Sequence, residues 1–184
     1  MASPLPKLVA LLEQAIAAAT ARYQAGGSVA QWQTAMQAVI TRGTTATYMV
    51  ATAERLGVSV DTLKGFSRTE RAEIKAMVQA QLSYLPGFVQ ALPTLSQAQI
   101  NARALQYATG IKTPYYQARW GGWDIPDELL PGNQTCRGNC NCSISVSDNG
   151  DGTGVLTRKL NATAHNCDEC PPLEGEYDVQ RMEA

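Results

Sequence analysis

No cysteine precedes Cys136, and the chain has a single histidine, His165. Chemistry built on those two residue types is therefore excluded from everything upstream. Phenylalanine occurs twice and aromatic residues make up 7% of the chain, so any core must be assembled mainly from aliphatic side chains and alanine. Charge of neither sign dominates, with 15 Lys and Arg against 16 Asp and Glu. Phosphate contacts need clustered Lys and Arg, so no specific nucleic-acid partner is expected. No apolar run approaches the roughly 20 residues that span a bilayer, so no membrane partner is expected either. The segment from Met1 to Thr20 carries Lys7 and a run from Leu8 to Leu12, but Glu13 and Gln14 interrupt it. It reads as an amphipathic helix rather than a signal peptide.

Enzyme signatures are also missing. The chain has no Gly-rich phosphate loop, no His-Glu-x-x-His helix and no serine elbow flanked by glycines. Asp148-Asn149-Gly150-Asp151-Gly152 reads as a turn, since the terminal Glu of a calcium loop is absent. These absences lead to the expectation of a non-enzymatic protein.

What is present is mostly helix. At 184 residues the chain suits one ordinary domain plus an appendage. Its apolar fraction is 45%, but much of that is alanine, which favours helix and buries little area per residue. Such a chain suits a thin helical arrangement, or one completed by partner subunits and self-association. Ser3-Pro4 opens a first helix that stops at Gly26-Gly27. Ser28 with Gln31, Ser67 with Glu70, and Ser96 with Gln99 have capping-box form and open further helices. The pattern leaves open whether Gly43 breaks or bends the second of these, which resumes from Thr44 to Leu56. Leu85-Pro86-Gly87 reads as a helix end, and Thr113-Pro114 as the start of a short helix through Arg119. About five helices thus fill residues 1–120, expected to form a helical assembly domain.

The texture changes after that. Residues 121–172 are rich in Gly, Pro, Trp and Cys, and Ser143-Ile144-Ser145-Val146 alternates as a strand. A turn and a second strand from Val155 to Leu160 complete a β-hairpin. The expected fold class is mainly α, a helical region followed by a small Cys-rich module containing this hairpin. Residues 173–184 read as an extended or mobile acidic tail.

The cysteines are spaced Cys136-x3-Cys140-x-Cys142, then Cys167-x2-Cys170 beyond the hairpin, with His165 beside the second group. Zinc takes four soft ligands in a tetrahedron, and a hairpin returns its end near its start. Structural Zn2+ held by Cys136 or Cys140 with Cys142, Cys167 and Cys170 is the preferred reading. Disulfides and free thiols are the alternatives, and an odd count of five opposes a fully paired disulfide framework. His165 is open between a ligand, a residue behind the ligands, and an ordinary surface residue. A redox role for Cys167-Asp168-Glu169-Cys170 is disfavoured, because two acidic residues between the thiols oppose thiolate formation. Tyr115, Tyr116, Trp120 and Trp123 cluster just upstream and are candidate interface anchors, with local packing over the module as the competing reading.

A family resemblance gathers at these positions. Trp123-Asp124-Ile125-Pro126, Leu130-Pro131-Gly132-Asn133-Gln134-Thr135-Cys136, Asn139-Cys140-Asn141-Cys142 and Ala164-His165-Asn166-Cys167-Asp168-Glu169-Cys170 together resemble the C-terminal region of tailed-bacteriophage minor head proteins. The similar proteins are the Mu F-like head-morphogenesis group and its shorter relatives. Here one extra residue separates His165 from Cys167, so the histidine's role is not carried over. The resemblance implies a virion head component that is assembled in the host cytoplasm and contacts the major capsid or portal protein. A zinc-binding adaptor engaging DNA or a host protein is the alternative.

Overall fold

The computed structural model describes residues 3–133, 142–161 and 168–182. Among these, six α-helices precede a three-stranded antiparallel sheet. The helices are α1 (Leu5–Gln24), α2 (Val29–Leu56), α3 (Arg68–Leu82), α4 (Leu85–Ala91), α5 (Gln97–Thr109) and α6 (Lys112–Trp120). The strands are β1 (Ser143–Asp148), β2 (Thr153–Lys159) and β3 (Gly175–Gln180).

Three helices start as their sequences dictate. Ser28, Ser67 and Ser96 each accept a hydrogen bond from the N–H of Gln31, Glu70 and Gln99. Those side chains each accept one in return from the serine's own N–H. Two orphan donors are thereby satisfied at each start. Gly57, at φ 66, ends α2 in the left-handed conformation that glycine adopts without strain.

Gly43 does not break α2, which runs unbroken through it. Its role is close approach: a Cβ there would fall within the Leu12 side chain of α1, 2.9 Å from Cγ. Leu85-Pro86-Gly87 likewise differs from expectation. It opens α4 rather than only closing α3, because proline in the first helical turn lacks a donor that would be orphaned anyway.

The long α2 is the axis of the helical part and packs against α1, α3 and α6, while α5 lies on α1. Trp32 anchors the centre, stacked edge-on with Phe88 at 5.2 Å and donating from Nε1 to Thr20 Oγ1 at 3.3 Å. The same hydrophobic cluster extends from Leu5 through Ile111, Trp123, Leu129 and Leu130 to Ile144, Leu156 and Val179 of the sheet. One continuous core thus crosses the boundary expected near residue 120.

The hairpin forms as expected. Ile144 pairs with Arg158 and Val146 with Leu156, and the turn passes through Gly150 and Gly152 at φ 86 and 88. The tail differs from expectation. Gly175–Gln180 is extended, but it is a paired strand that places Val179 opposite Gly154 and Gly175 opposite Arg158. Val179 and the half-buried Tyr177 supply the alternate apolar positions that attach it to the core. Trp123 bridges to Arg181 beyond β3, and the Asp124 N–H donates to the Gln180 carbonyl at 2.8 Å. The segment before the module is thereby tied to the end of the sheet. Among the described residues no helix is long and apolar enough to cross a membrane.

Candidate functional site

The inner face of β2 is built from alternate residues. Gly154, Leu156 and Arg158 point inward, as the two-residue repeat of a strand requires. Gly154 leaves room for Trp123, whose ring atoms lie 2.8 Å from where a Cβ would sit. Arg158 occupies the next inward position but one and is completely buried.

Two of the five cysteines lie beside it. Cys142 immediately precedes β1. Cys170 precedes a 3-10 turn, Pro171–Leu173, that leads into β3. Pairing of β3 with β2, together with the hairpin, therefore carries Cys170 to the end of the sheet where Cys142 enters it. The two thiols are buried in one small cluster covered by Leu160. The Leu160 N–H donates to Glu174 Oε1 at 3.1 Å and fixes the cover to the strand that follows.

Arg158 reaches into this corner. Its Nη2 donates to Cys170 Sγ at 3.7 Å and its Nη1 to the Glu128 carbonyl at 2.8 Å. Among the described residues its buried Nε has no partner and no carboxylate pairs with its charge; the ion pairs there are Arg55–Glu70, Arg119–Glu54 and Arg181–Asp148. A buried guanidinium lacking an anion is costly by several kcal/mol. Sulfur that can carry negative charge is what the corner offers.

Cys136, Cys140, His165 and Cys167 lie outside the described residues. Among the described residues no group of three or more His, Cys, Asp or Glu gathers as a metal site. The two cysteines that are described suit a soft divalent metal on two counts. Their donors are thiols, and they are gathered from either side of the hairpin into a buried corner. Arg158 is absent from the sequence expectations, although its alternation with Leu156 in the second strand is a signal that places it on the inner face.

Of the four aromatic candidates, Tyr115, Tyr116 and Trp123 are packed inside the chain. Tyr115 and Tyr116 of α6 are buried and meet edge-on at 5.3 Å. Tyr115 donates to Glu54 Oε2 at 2.6 Å and meets Ser3 Oγ at 3.0 Å. Trp123 is buried between Gly154 and the Arg181 guanidinium, which lies 5.1 Å from its ring centroid. Trp120 is half-buried under Arg119 at 4.7 Å and alone of the four keeps appreciable exposed surface. The physical reason is local. Pro- and Gly-rich chain offers few aliphatic side chains, so the aromatics close the seam between helices and sheet.

A separate concavity of about 790 Å3 lies between α3, α4, α5 and α6, with Met77, Tyr84, Phe88 and Tyr107 among its walls. Burial pushes the Tyr107 hydroxyl up to about 12, so it stays a neutral donor there. No family model, curated protein or solved structure matches this chain.

Proposed function

We propose that this chain is a structural component of a bacteriophage head, acting in head assembly through contacts with the major capsid or portal protein. In this reading the C-terminal sheet carries a structural zinc centre that makes the docking surface rigid. The observation that carries it is the burial of Cys142 and Cys170 together at one end of the sheet. Both residues lie in the motifs that resemble minor head proteins, one from each cysteine group.

The chain's own residues do the positioning. The β1–β2 hairpin and the added β3 set the two thiols side by side, Leu160 excludes water, and Arg158 faces the sulfur. Cys167, with Cys136 or Cys140, completes the set proposed from the sequence. Bound zinc supplies cross-linking of thiolates and hence folding energy for a module with little apolar area of its own. Trp120, the least buried of the aromatic cluster, is the side chain through which the seam is offered to a partner.

Two measurements test the proposal. Mass spectrometry of purified particles from the phage encoding this chain should find it at a fixed ratio to the portal protein, with cross-links to portal or major capsid protein. Its absence from particles overturns the head assignment. Elemental analysis of the purified chain should find about one zinc per chain; a metal-free, fully folded chain overturns the zinc centre.

A further inference from the structure

We infer that the outer edge of β1 is a self-association surface, to which a second copy of this chain adds its own β1, antiparallel and centred on Ser145. The inference depends on neither the zinc centre nor the head assignment. Among the described residues the sheet ends in β1 on one side and β3 on the other. The two edges differ. Beside β3, the Asp124 N–H donates to the Gln180 carbonyl, and the Met182 N–H to the Gly122 carbonyl, so that edge is partly covered. It also carries Glu176 and Asp178, charges of one sign that repel a further copy of the same strand. β1 has neither protection. From Ser143 to Ser147 it holds no charge and no proline, and its register against β2 is continuous, without a bulge.

The register shows which groups face outward. The Asn149 N–H donates to the Thr153 carbonyl. Counting back by alternate pairs, Ser147–Val155 and Ser145–Thr157 hold the hydrogen bonds between β1 and β2. The main-chain groups of Ile144, Val146 and Asp148 therefore point away from β2, and among the described residues no main-chain group bonds them. Such a row of donors and acceptors takes an extended strand.

Side chains select the occupant. Ile144 is buried and Val146 half-buried on the core face, while Ser143, Ser145 and Ser147 are exposed on the other. A second β1 centred on Ser145 matches both faces. Ile144 then stands opposite Val146 of the second copy, Ser143 opposite Ser147, and Ser145 opposite its own mate. The apolar pairs fall on residues whose main-chain groups face outward, so each pair exchanges hydrogen bonds, and Val146 gains cover. Centring on Val146 instead would set Asp148 against Ile144. Asp148 is the strand's only charge, is held by Arg181, and lies outside the paired stretch, so no like charges meet.

Sedimentation velocity of the full-length chain, from low micromolar to submillimolar concentration, should show a monomer–dimer equilibrium. As concentration rises, the Ile144 and Val146 amides should gain protection in hydrogen exchange, whereas those of Ser145 and Ser147, already bonded to β2, should change little. Ser145→Lys and Ser145→Glu place charge at the two-fold and should each weaken self-association about tenfold. An equimolar mixture of the two should recover it as a heterodimer, which a merely misfolded variant could not do. A wild-type chain that stays monomeric overturns the inference, even if another protein's strand protects those amides. So does a dimer that neither substitution weakens, or whose mixed variants, both folded, fail to recover it. Where a variant fails to fold, the wild-type exchange pattern decides: dimerisation without added protection at Ile144 and Val146 overturns the inference.

Discussion

Tyr115 joins three segments through one hydroxyl, donating to Glu54 on α2 and accepting from Ser3 ahead of α1. Burial first, then the bond to Glu54, pushes its pKa up from 10.0 to about 12. A raised tyrosine pKa means that the folded state prefers the neutral phenol. The stabilisation is complete below about pH 10 and is lost as pH rises through about 12. Tyr107 shifts in the same direction through burial alone, and Tyr48 does so through burial and its bond to Glu73. Urea midpoints should therefore fall between pH 10 and 12. Tyr115→Phe should make that fall shallower and cost about 1–2 kcal/mol at neutral pH; an unchanged alkaline slope would contradict this account. Gly43 gives a second residue-scale outcome. Alanine gains up to about 1 kcal/mol of helix propensity, but crowding Leu12 costs about 1–3 kcal/mol. Gly43→Ala should therefore lower stability by about 1 kcal/mol in chemical denaturation, and a gain would show that α1 shifts freely. At this scale the sequence was least legible. An aromatic cluster looks the same whether it faces its own core or a partner, and Tyr115 became readable only once α2 lay beside it.

Among the elements, those with local signals were legible and those defined by distant partners were not. The starts of α2, α3 and α5 follow from serine three residues ahead of Gln or Glu, and the hairpin follows from alternation around a glycine turn. By contrast, β3 reads as an acidic tail because Glu176 and Asp178 fall on its outward face, leaving only Tyr177 and Val179 as apolar markers. Its identity comes from β2, to which it supplies hydrogen-bond partners that no local pattern announces. The cysteine corner is intermediate: spacing brought the two groups together, while the third strand is what delivers Cys170. Val179→Asp tests the strand's weight. A carboxylate at this buried position should cost about 3 kcal/mol or more. In hydrogen exchange, β2 amides should lose protection while α1 and α2 keep theirs. Retained protection in β2 would mean that β1 alone suffices to hold it.

For the whole molecule, the seam between helices and sheet decides how failure spreads. Apolar contact is continuous across it, but the helices pack chiefly on one another. Polar ties across the linking segment include Thr113 Oγ1 donating to the Pro131 carbonyl at 2.8 Å and the Arg158–Glu128 bond. Metal removal, or Cys142→Ser with Cys170→Ser, should therefore open the sheet to protease while most helical circular dichroism remains. A sheet as resistant without metal as with it would remove the need for the proposed centre.

The three tryptophans divide along this seam. Trp32 lies against Phe88 inside the helices, Trp123 lies on Gly154 of the sheet, and Trp120 sits between them. The molecule thus carries its own optical gauges. With Trp32 and Trp120 replaced by phenylalanine, the tryptophan emission that remains comes from Trp123 and reports how firmly the sheet is seated on the rest of the chain.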